Sequence, residues 1–146
     1  MSLKVEYFTG IPHWSILIES GEPCRLYLPH SYNYPAIDGA ILQLDRTKKT
    51  AHLFLIQVTL AKKHKDSEKL FYEKCWGDWT EYLADFQVQS TFVWIDRVGP
   101  SENTVRQQKL VTRTRTILLN PQYTSIHVAV ADVDQRLVEE LTRKTK

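Results

Sequence analysis

The segment at residues 34–64, YPAIDGAILQLDRTKKTAHLFLIQVTLAKKH, decides the fold. Residues 36–45 and 51–60 each predict a β-strand, and the polar residues 46–49 between them predict a tight turn. Two strands joined by so short a turn form an antiparallel hairpin. Residues 53–56 are apolar without alternation, which is typical of a strand covered on both faces. The segment therefore indicates a layered α/β sheet.

Three polar side chains stand out within this hairpin. Asp38 lies near the start of the first strand, and Gln57 and Thr59 lie near the end of the second. A turn centred on Thr47 and Lys48 places Asp38 opposite Gln57. Gln57 and Thr59 share one face because they are two residues apart. Two structural alternatives remain open: Asp38 could cap a strand or turn, and Gln57 with Thr59 could form a hydrogen-bonded pair in the core.

The flanking sequence alternates between helix and strand patterns. A helix is predicted to begin near residue 66 or 67, and Gly77 interrupts it, so it is one kinked helix or two short ones with Asp78 capping the second. Its apolar stripe consists of Phe71, Cys75, Trp79, Tyr82 and Phe86. Strands are predicted at residues 25–28, 91–97 and 125–130 and a helix at 133–143, while 15–20 and 105–119 fit either type.

The composition fits one globular domain over residues 1–146, with 42% hydrophobic residues to form its core. No apolar run is long enough to span a membrane. Cys24 and Cys75 cannot form a zinc site alone. They favour a reduced, intracellular protein, with a single disulfide as the alternative. Residues 1–14 lack the apolar core of a signal peptide, so a secreted parent would carry its leader elsewhere.

Basic residues cluster although the net charge is only +2. The clusters that could contact nucleic-acid phosphates are Lys62, Lys63, His64 and Lys65, directly after the second hairpin strand, and Arg113 with Arg115, which alternate with Thr. Such residues supply phosphate contacts when a nucleic acid lies over them. A solvated loop is the alternative for the lysine cluster.

A string of residues in this region resembles a known family. Tyr27-x-Pro29, Tyr34-Pro-Ala-Ile-Asp38, Gln57-Val-Thr59 and His64 are similar to the nuclease-like effector domain of Crinkler proteins and of the related trypanosome retrotransposon hot spot proteins. The match covers about residues 27–64, and the strand at 91–97 fits the fourth core strand. The resemblance implies a PD-(D/E)XK, restriction-endonuclease-like mixed sheet flanked by helices. It also implies DNA binding, Mg²⁺-dependent phosphodiester cleavage and a secreted effector acting in the host cell, usually in its nucleus.

The resemblance also implies roles for individual residues. Asp38 and Gln57 would hold Mg²⁺, Thr59 would orient water or phosphate, and Lys62 or Lys63 would balance charge. Gln57 and Thr59 stand where the nuclease pattern has Glu and Lys, so the metal would be held more weakly. The acid of the first helix would have to be Glu19 or Glu22, and a migrated acid could be Glu68 or Glu73. The alternative functions are therefore a degenerate nuclease fold that binds only nucleic acid, or a module that binds a host nuclear protein.

Overall fold

A mixed β-sheet organises the chain. The structure is a computed structural model that describes residues 3–31, 34, 36–59, 67–96, 104–106, 109–111, 116–118 and 122–129. In that part of the chain, seven strands form one sheet in the order β1-β2-β3-β4-β5-β9-β6. Their bounds are β1 (Val5–Phe8), β2 (Cys24–Pro29), β3 (Gly39–Asp45), β4 (Thr50–Val58), β5 (Gln87–Asp96), β6 (Thr104–Arg106) and β9 (Tyr123–Ala129). A separate ribbon pairs β7 (Lys109–Val111) with β8 (Thr116–Leu118).

The hairpin β3–β4 has the predicted register. Gly39 lies opposite Ile56 and Asp45 opposite Thr50, so the turn is centred where the sequence places it. The predicted first strand was too long, because β3 begins at Gly39 and not at residue 36. Ala36 adopts a left-handed conformation with φ of 76°, which interrupts the extended backbone before the strand.

Strand β4 is central, as the sequence predicts. It pairs antiparallel with β3 and parallel with β5. Leu53 and Leu55 on one face are fully buried in the larger core cluster, and Ile56 on the other face belongs to a second cluster. Both faces are therefore covered, which explains why the strand carries consecutive apolar residues.

The connection from β4 to β5 contains two short helices, α2 (Ser67–Lys74) and α3 (Trp76–Thr80), followed by a 3₁₀ turn at Glu81–Leu83. The predicted break at Gly77 is wrong, because Gly77 lies inside α3 and the break falls at Cys75. Asp78 accordingly does not cap the second helix. Tyr82 is 69% exposed and does not belong to the buried stripe, since the tighter 3₁₀ turn changes the direction of its side chain.

The structure assigns a helix or strand type to most of the segments that the sequence leaves ambiguous. Ser15–Ser20 is helix α1, which ends at Gly21 with φ of 80°, a conformation that glycine adopts without strain. Arg46 in the hairpin turn donates hydrogen bonds to the carbonyls of Leu17 and Glu22 at 2.5 and 2.6 Å, tying α1 to the sheet. Residues 105–119 include short strands. The helix predicted at 133–143 lies outside the described residues.

Candidate functional site

Asp38 lies at the edge of the sheet where β3 begins and β4 ends. Its amide donates to the carbonyl of Ile56 at 2.8 Å, and its carboxylate Oδ2 accepts from the amide of Val58 at 2.8 Å. The side chain thus joins the two strand ends, as the capping alternative expects. Burial raises the pKa of Asp38 to about 6, opposed by the Val58 hydrogen bond. Among the described residues, no basic side chain pairs with this carboxylate.

Gln57 bonds to the same residue, Val58, from its own strand. Its Nε2 donates to the carbonyl of Val58 at 3.4 Å, a long hydrogen bond. The amide of Val58 is taken by Asp38 and its carbonyl by Gln57, and in a β-strand these two groups point to the same side. Both side chains of the predicted pair therefore bond to the backbone of Val58, on its β3 side.

Thr59 continues the pairing of β4 with β5 for one residue beyond the strand. Its amide donates to the carbonyl of Ile95 at 2.9 Å, and its side chain is half-buried. The register that pairs Val58 with Ile95 places Thr59 beside Asp96 on the neighbouring strand. Thr59 therefore neighbours the carboxylate of Asp96, which is not part of the Asp38, Gln57 and Thr59 motif.

Asp96 and His127 form a second polar pair at this edge, which sequence reasoning missed. The Nδ1 atom of His127 donates to Oδ2 of Asp96 at 3.0 Å, and the Asp96 side chain is only 4% exposed. Asp96 ends β5, and His127 lies two residues before the end of the parallel strand β9. The carboxyl ends of parallel strands commonly form binding sites. The sequence does contain one sign of this pair, since the acidic residue Asp96 directly follows the apolar residues of the predicted strand.

Glu68, one of the two candidates for a migrated acid, is buried beneath this edge. Its carboxylate accepts hydrogen bonds from Trp94 Nε1 at 2.5 Å, Tyr123 Oη at 2.9 Å and Ser125 Oγ at 2.8 Å. The carboxylate thereby links α2 to β5 and β9. Glu73, the other candidate, faces Lys69 on its own helix at 3.9 Å.

The first-helix acids are not brought to Asp38. Glu19 is exposed, and Glu22 forms ion pairs at 2.8 Å with Lys4 and with Arg25 near the start of β2. Because β2 and β3 are antiparallel, the start of β2 lies at the end of β3, away from Asp38. The expectation that Glu22 serves the site is therefore not met.

Several predicted residues lie outside the described part of the chain. They are Lys62, Lys63, His64, Lys65, Arg113 and Arg115. Within the described part, no three His, Cys, Asp or Glu side chains are grouped so that they could hold a metal ion. The helices described are too short or too polar to cross a membrane.

A cavity of about 440 Å³ lies at the opposite end of the sheet, beside the β3–β4 turn. Its lining includes Asp45, Arg46 and His52, and it contains none of the predicted site residues. The cavity therefore does not include Asp38. The half-buried carboxyl of Asp38 with its raised pKa and the polar side chains around it favour the Asp38 edge as the functional site.

The chain was compared with protein-family models, with curated proteins and with solved structures, and none of the three comparisons gave a match.

Proposed function

We propose that the chain is a Crinkler-like, restriction-endonuclease-like domain that binds DNA and cleaves it by Mg²⁺-dependent phosphodiester hydrolysis. The observation that carries this proposal is the convergence of Asp38 and Gln57 on the backbone of Val58. The element order also supports it: α1, the antiparallel strands β2, β3 and β4, two crossover helices, and β5 parallel to β4. That order fits the expectation that β5 is the fourth core strand.

The donor atoms at this edge suit magnesium. Mg²⁺ prefers oxygen ligands, and Asp38 offers a carboxylate and Gln57 a carbonyl oxygen. Burial disfavours the charge on Asp38, and a bound dication would offset that cost. When bound, Mg²⁺ would polarise the scissile phosphate. Thr59 would orient the water or the phosphate, and Lys62 or Lys63 would balance charge.

DNA would approach along the sequence that follows β4. The lysine cluster Lys62, Lys63 and Lys65, with His64, follows the strand that carries Gln57. Arg113 and Arg115 would extend the contact. Such cations bind the phosphate backbone without reading its sequence, so the affinity should fall steeply with added salt. The resemblance further favours action in the nucleus of a host cell.

The test is cleavage of supercoiled plasmid DNA with and without Mg²⁺. We expect nicking that requires Mg²⁺, that is lost in Asp38→Ala, and that proceeds at a lower Mg²⁺ concentration in Gln57→Glu, which restores a charged ligand. Asp45→Ala, in the exposed hairpin turn, is the matched control and should cleave like the wild type. Absence of Mg²⁺-dependent nicking by the wild type would refute the enzymatic function.

A second function, nucleic-acid binding without cleavage, is favoured by the hydrogen bond that already occupies one carboxylate oxygen of Asp38. Its Oδ2 is already bonded to the Val58 amide, and the neighbouring position 57 carries a neutral amide. Salt-sensitive DNA binding that weakens in Lys62→Ala/Lys63→Ala but not in Asp38→Ala, without nicking, would support it. If the wild type does not bind DNA at low salt, a host nuclear protein becomes the better candidate partner.

A further inference from the structure

A row of polar side chains crosses the sheet at the cavity beside the β3–β4 turn. Gln43 on β3 is paired with His52 on β4, and His52 is paired with Gln89 on β5. Residues opposite each other in adjacent strands have their side chains on the same face. All three line the cavity of about 440 Å³, a volume within the range of small-molecule sites. The cavity therefore contains an imidazole with one carboxamide on either side.

The imidazole of His52 is fixed in orientation by two contacts. Its Nε2 lies 2.7 Å from Oγ1 of buried Thr91, and its ring stacks on Phe54 with 4.1 Å between the ring centroids and 5° between the planes. Phe54 does not line the cavity, whereas Thr50, on the other side of His52 along the same face of β4, does. The cavity therefore lies on the side of the imidazole that Phe54 leaves uncovered.

The cavity has no excess of charge that would attract a free anion. Burial lowers the pKa of His52, so its ring is neutral near neutral pH. The charged residues of the lining, Asp45 and Arg46, have opposite signs, and both are engaged in the fold. Asp45 accepts a hydrogen bond within the hairpin turn, and Arg46 donates to carbonyls at and beyond the end of α1. A neutral ligand therefore suits this cavity better than an isolated phosphate.

The carboxamides of Gln43 and Gln89 are available to a ligand. Both side chains are exposed, and neither forms a hydrogen bond with any residue in the part of the chain that the structure describes. Each carboxamide offers an acceptor oxygen and two N–H donors. Side-chain carboxamides pair in this way with the donor and acceptor atoms along the edge of a nucleobase. A planar ring with polar edges would therefore use both the imidazole and its flanking amides.

We propose that this cavity binds a single nucleobase, which stacks on the uncovered face of His52 and is hydrogen-bonded at its edges by Gln43 and Gln89. Histidine is one of the rings on which unpaired bases stack. A free nucleoside and an unpaired base of a single-stranded nucleic acid share this chemistry, and the experiment distinguishes them. The cavity lies at the opposite end of the sheet from Asp38, so the inference does not depend on DNA cleavage.

The experiment is an NMR titration of the isotope-labelled chain with adenosine, guanosine, cytidine and uridine, one at a time. We expect at least one nucleoside to shift the side-chain amide signals of Gln43 and Gln89 and the ring signals of His52, with a saturable, millimolar Kd. A short single-stranded oligonucleotide of the preferred base is titrated in parallel. Tighter binding through the same signals identifies nucleic acid as the source of the base, and equal or weaker binding identifies the free nucleoside.

Variants at His52 test the stacking. His52→Ala should raise the Kd by about 5- to 100-fold, the range that stacking of a base on an aromatic ring contributes. His52→Phe keeps a ring and should bind within a few-fold of the wild type. His30→Ala is the matched control, because His30 also stacks on an aromatic ring, that of Tyr7 at 5.4 Å, but does not line the cavity. Its Kd should equal that of the wild type.

Variants of the flanking amides test the hydrogen bonds. Gln43→Glu keeps the size of the side chain but removes its donors, so it should change which nucleoside binds most tightly. If His52→Ala loses cooperative unfolding, the double variant Gln43→Ala/Gln89→Ala, at two exposed positions, takes its place and should raise the Kd by about 5-fold or more.

Two results would overturn the inference. The first is the absence of a saturable shift of the Gln43 and Gln89 signals with every nucleoside and with the oligonucleotide. The second is an unchanged Kd in His52→Ala, or in the double variant that replaces it. Neither result bears on Asp38 or on Mg²⁺-dependent cleavage, so the two proposals fail separately.

Discussion

At the scale of single residues, Asp38 determines what this edge of the sheet can do. It lies directly before β3, accepts a hydrogen bond from the amide of Val58, and is partly buried with no basic partner among the residues that the structure describes. Charge buried in this way costs stability and is commonly retained for function. The role of Asp38 can therefore be tested by measuring the stability of its variants as well as their activity.

We expect Asp38→Asn to be more stable than the wild type at pH 7.5 but not at pH 4. The pKa of Asp38 is about 6 in the folded protein against an ordinary value of 3.8, so between these pH values the native state holds more protons than the unfolded state. Wild-type stability therefore falls as the pH rises from about 4 to about 6, and above that the cost of the charge is constant. Asn removes the charge and keeps an acceptor for Val58. Allowing for partial exposure, the gain is about 2 kcal/mol.

Urea unfolding of the two proteins at both pH values measures this difference. Asp38→Ala is the matched variant: it also removes the charge but leaves the Val58 amide without its acceptor, so its gain at pH 7.5 should be about 1 kcal/mol smaller. A stability difference between wild type and Asp38→Asn that is the same at pH 4 and pH 7.5 would contradict the assigned burial of this carboxyl.

At the scale of elements, the hairpin was predictable and the parallel pairings were not. A short turn fixes the register of two antiparallel strands, so counting outward from Thr47 and Lys48 gives the observed pairing of Gly39 with Ile56. Asp38, one residue before the strand, bonds to the backbone of Ile56 and Val58. No such rule relates β5 to β9, because a parallel pair is joined by a long connection of no fixed geometry. Asp96 and His127 lie 31 positions apart in sequence, and only this pairing brings them together.

For the helices, the sequence predicted the buried face but not the ends. The apolar spacing identified Phe71 and Trp79 as buried, and both are. It did not anticipate that a 3₁₀ turn would expose Tyr82 or that the chain would break at Cys75. Strand β1 was not predicted, because Val5 and Tyr7 are exposed and its pattern is weak. Periodicity therefore finds the buried face of an element better than it finds the element's ends.

Glu68 connects α2 to the sheet through three hydrogen bonds. We expect Glu68→Ala to lower the free energy of unfolding by roughly 3–5 kcal/mol, because it leaves the buried donors of Trp94, Tyr123 and Ser125 without this acceptor. Glu73→Ala on the same helix removes only a partly exposed ion pair with Lys69 and should cost less than about 1 kcal/mol. Guanidinium unfolding compares the two. Equal losses would mean that the Glu68 network does not hold α2 in place.

At the scale of the whole molecule, the polar groups of interest share one edge of one sheet. The end of β4 carries Gln57, the ends of β5 and β9 carry Asp96 and His127, and antiparallel β3 starts at this edge next to Asp38. We propose that Asp38 and Gln57 form a site for a divalent cation at this edge. The most direct measurement is anomalous diffraction from wild-type crystals soaked in Mn²⁺, with Asp38→Ala crystals in parallel. We expect an anomalous peak within bonding distance of Asp38 and of the Gln57 carbonyl oxygen, and no peak there in the variant. Bound Mn²⁺ only elsewhere, or none at a concentration that supports cleavage, would contradict it.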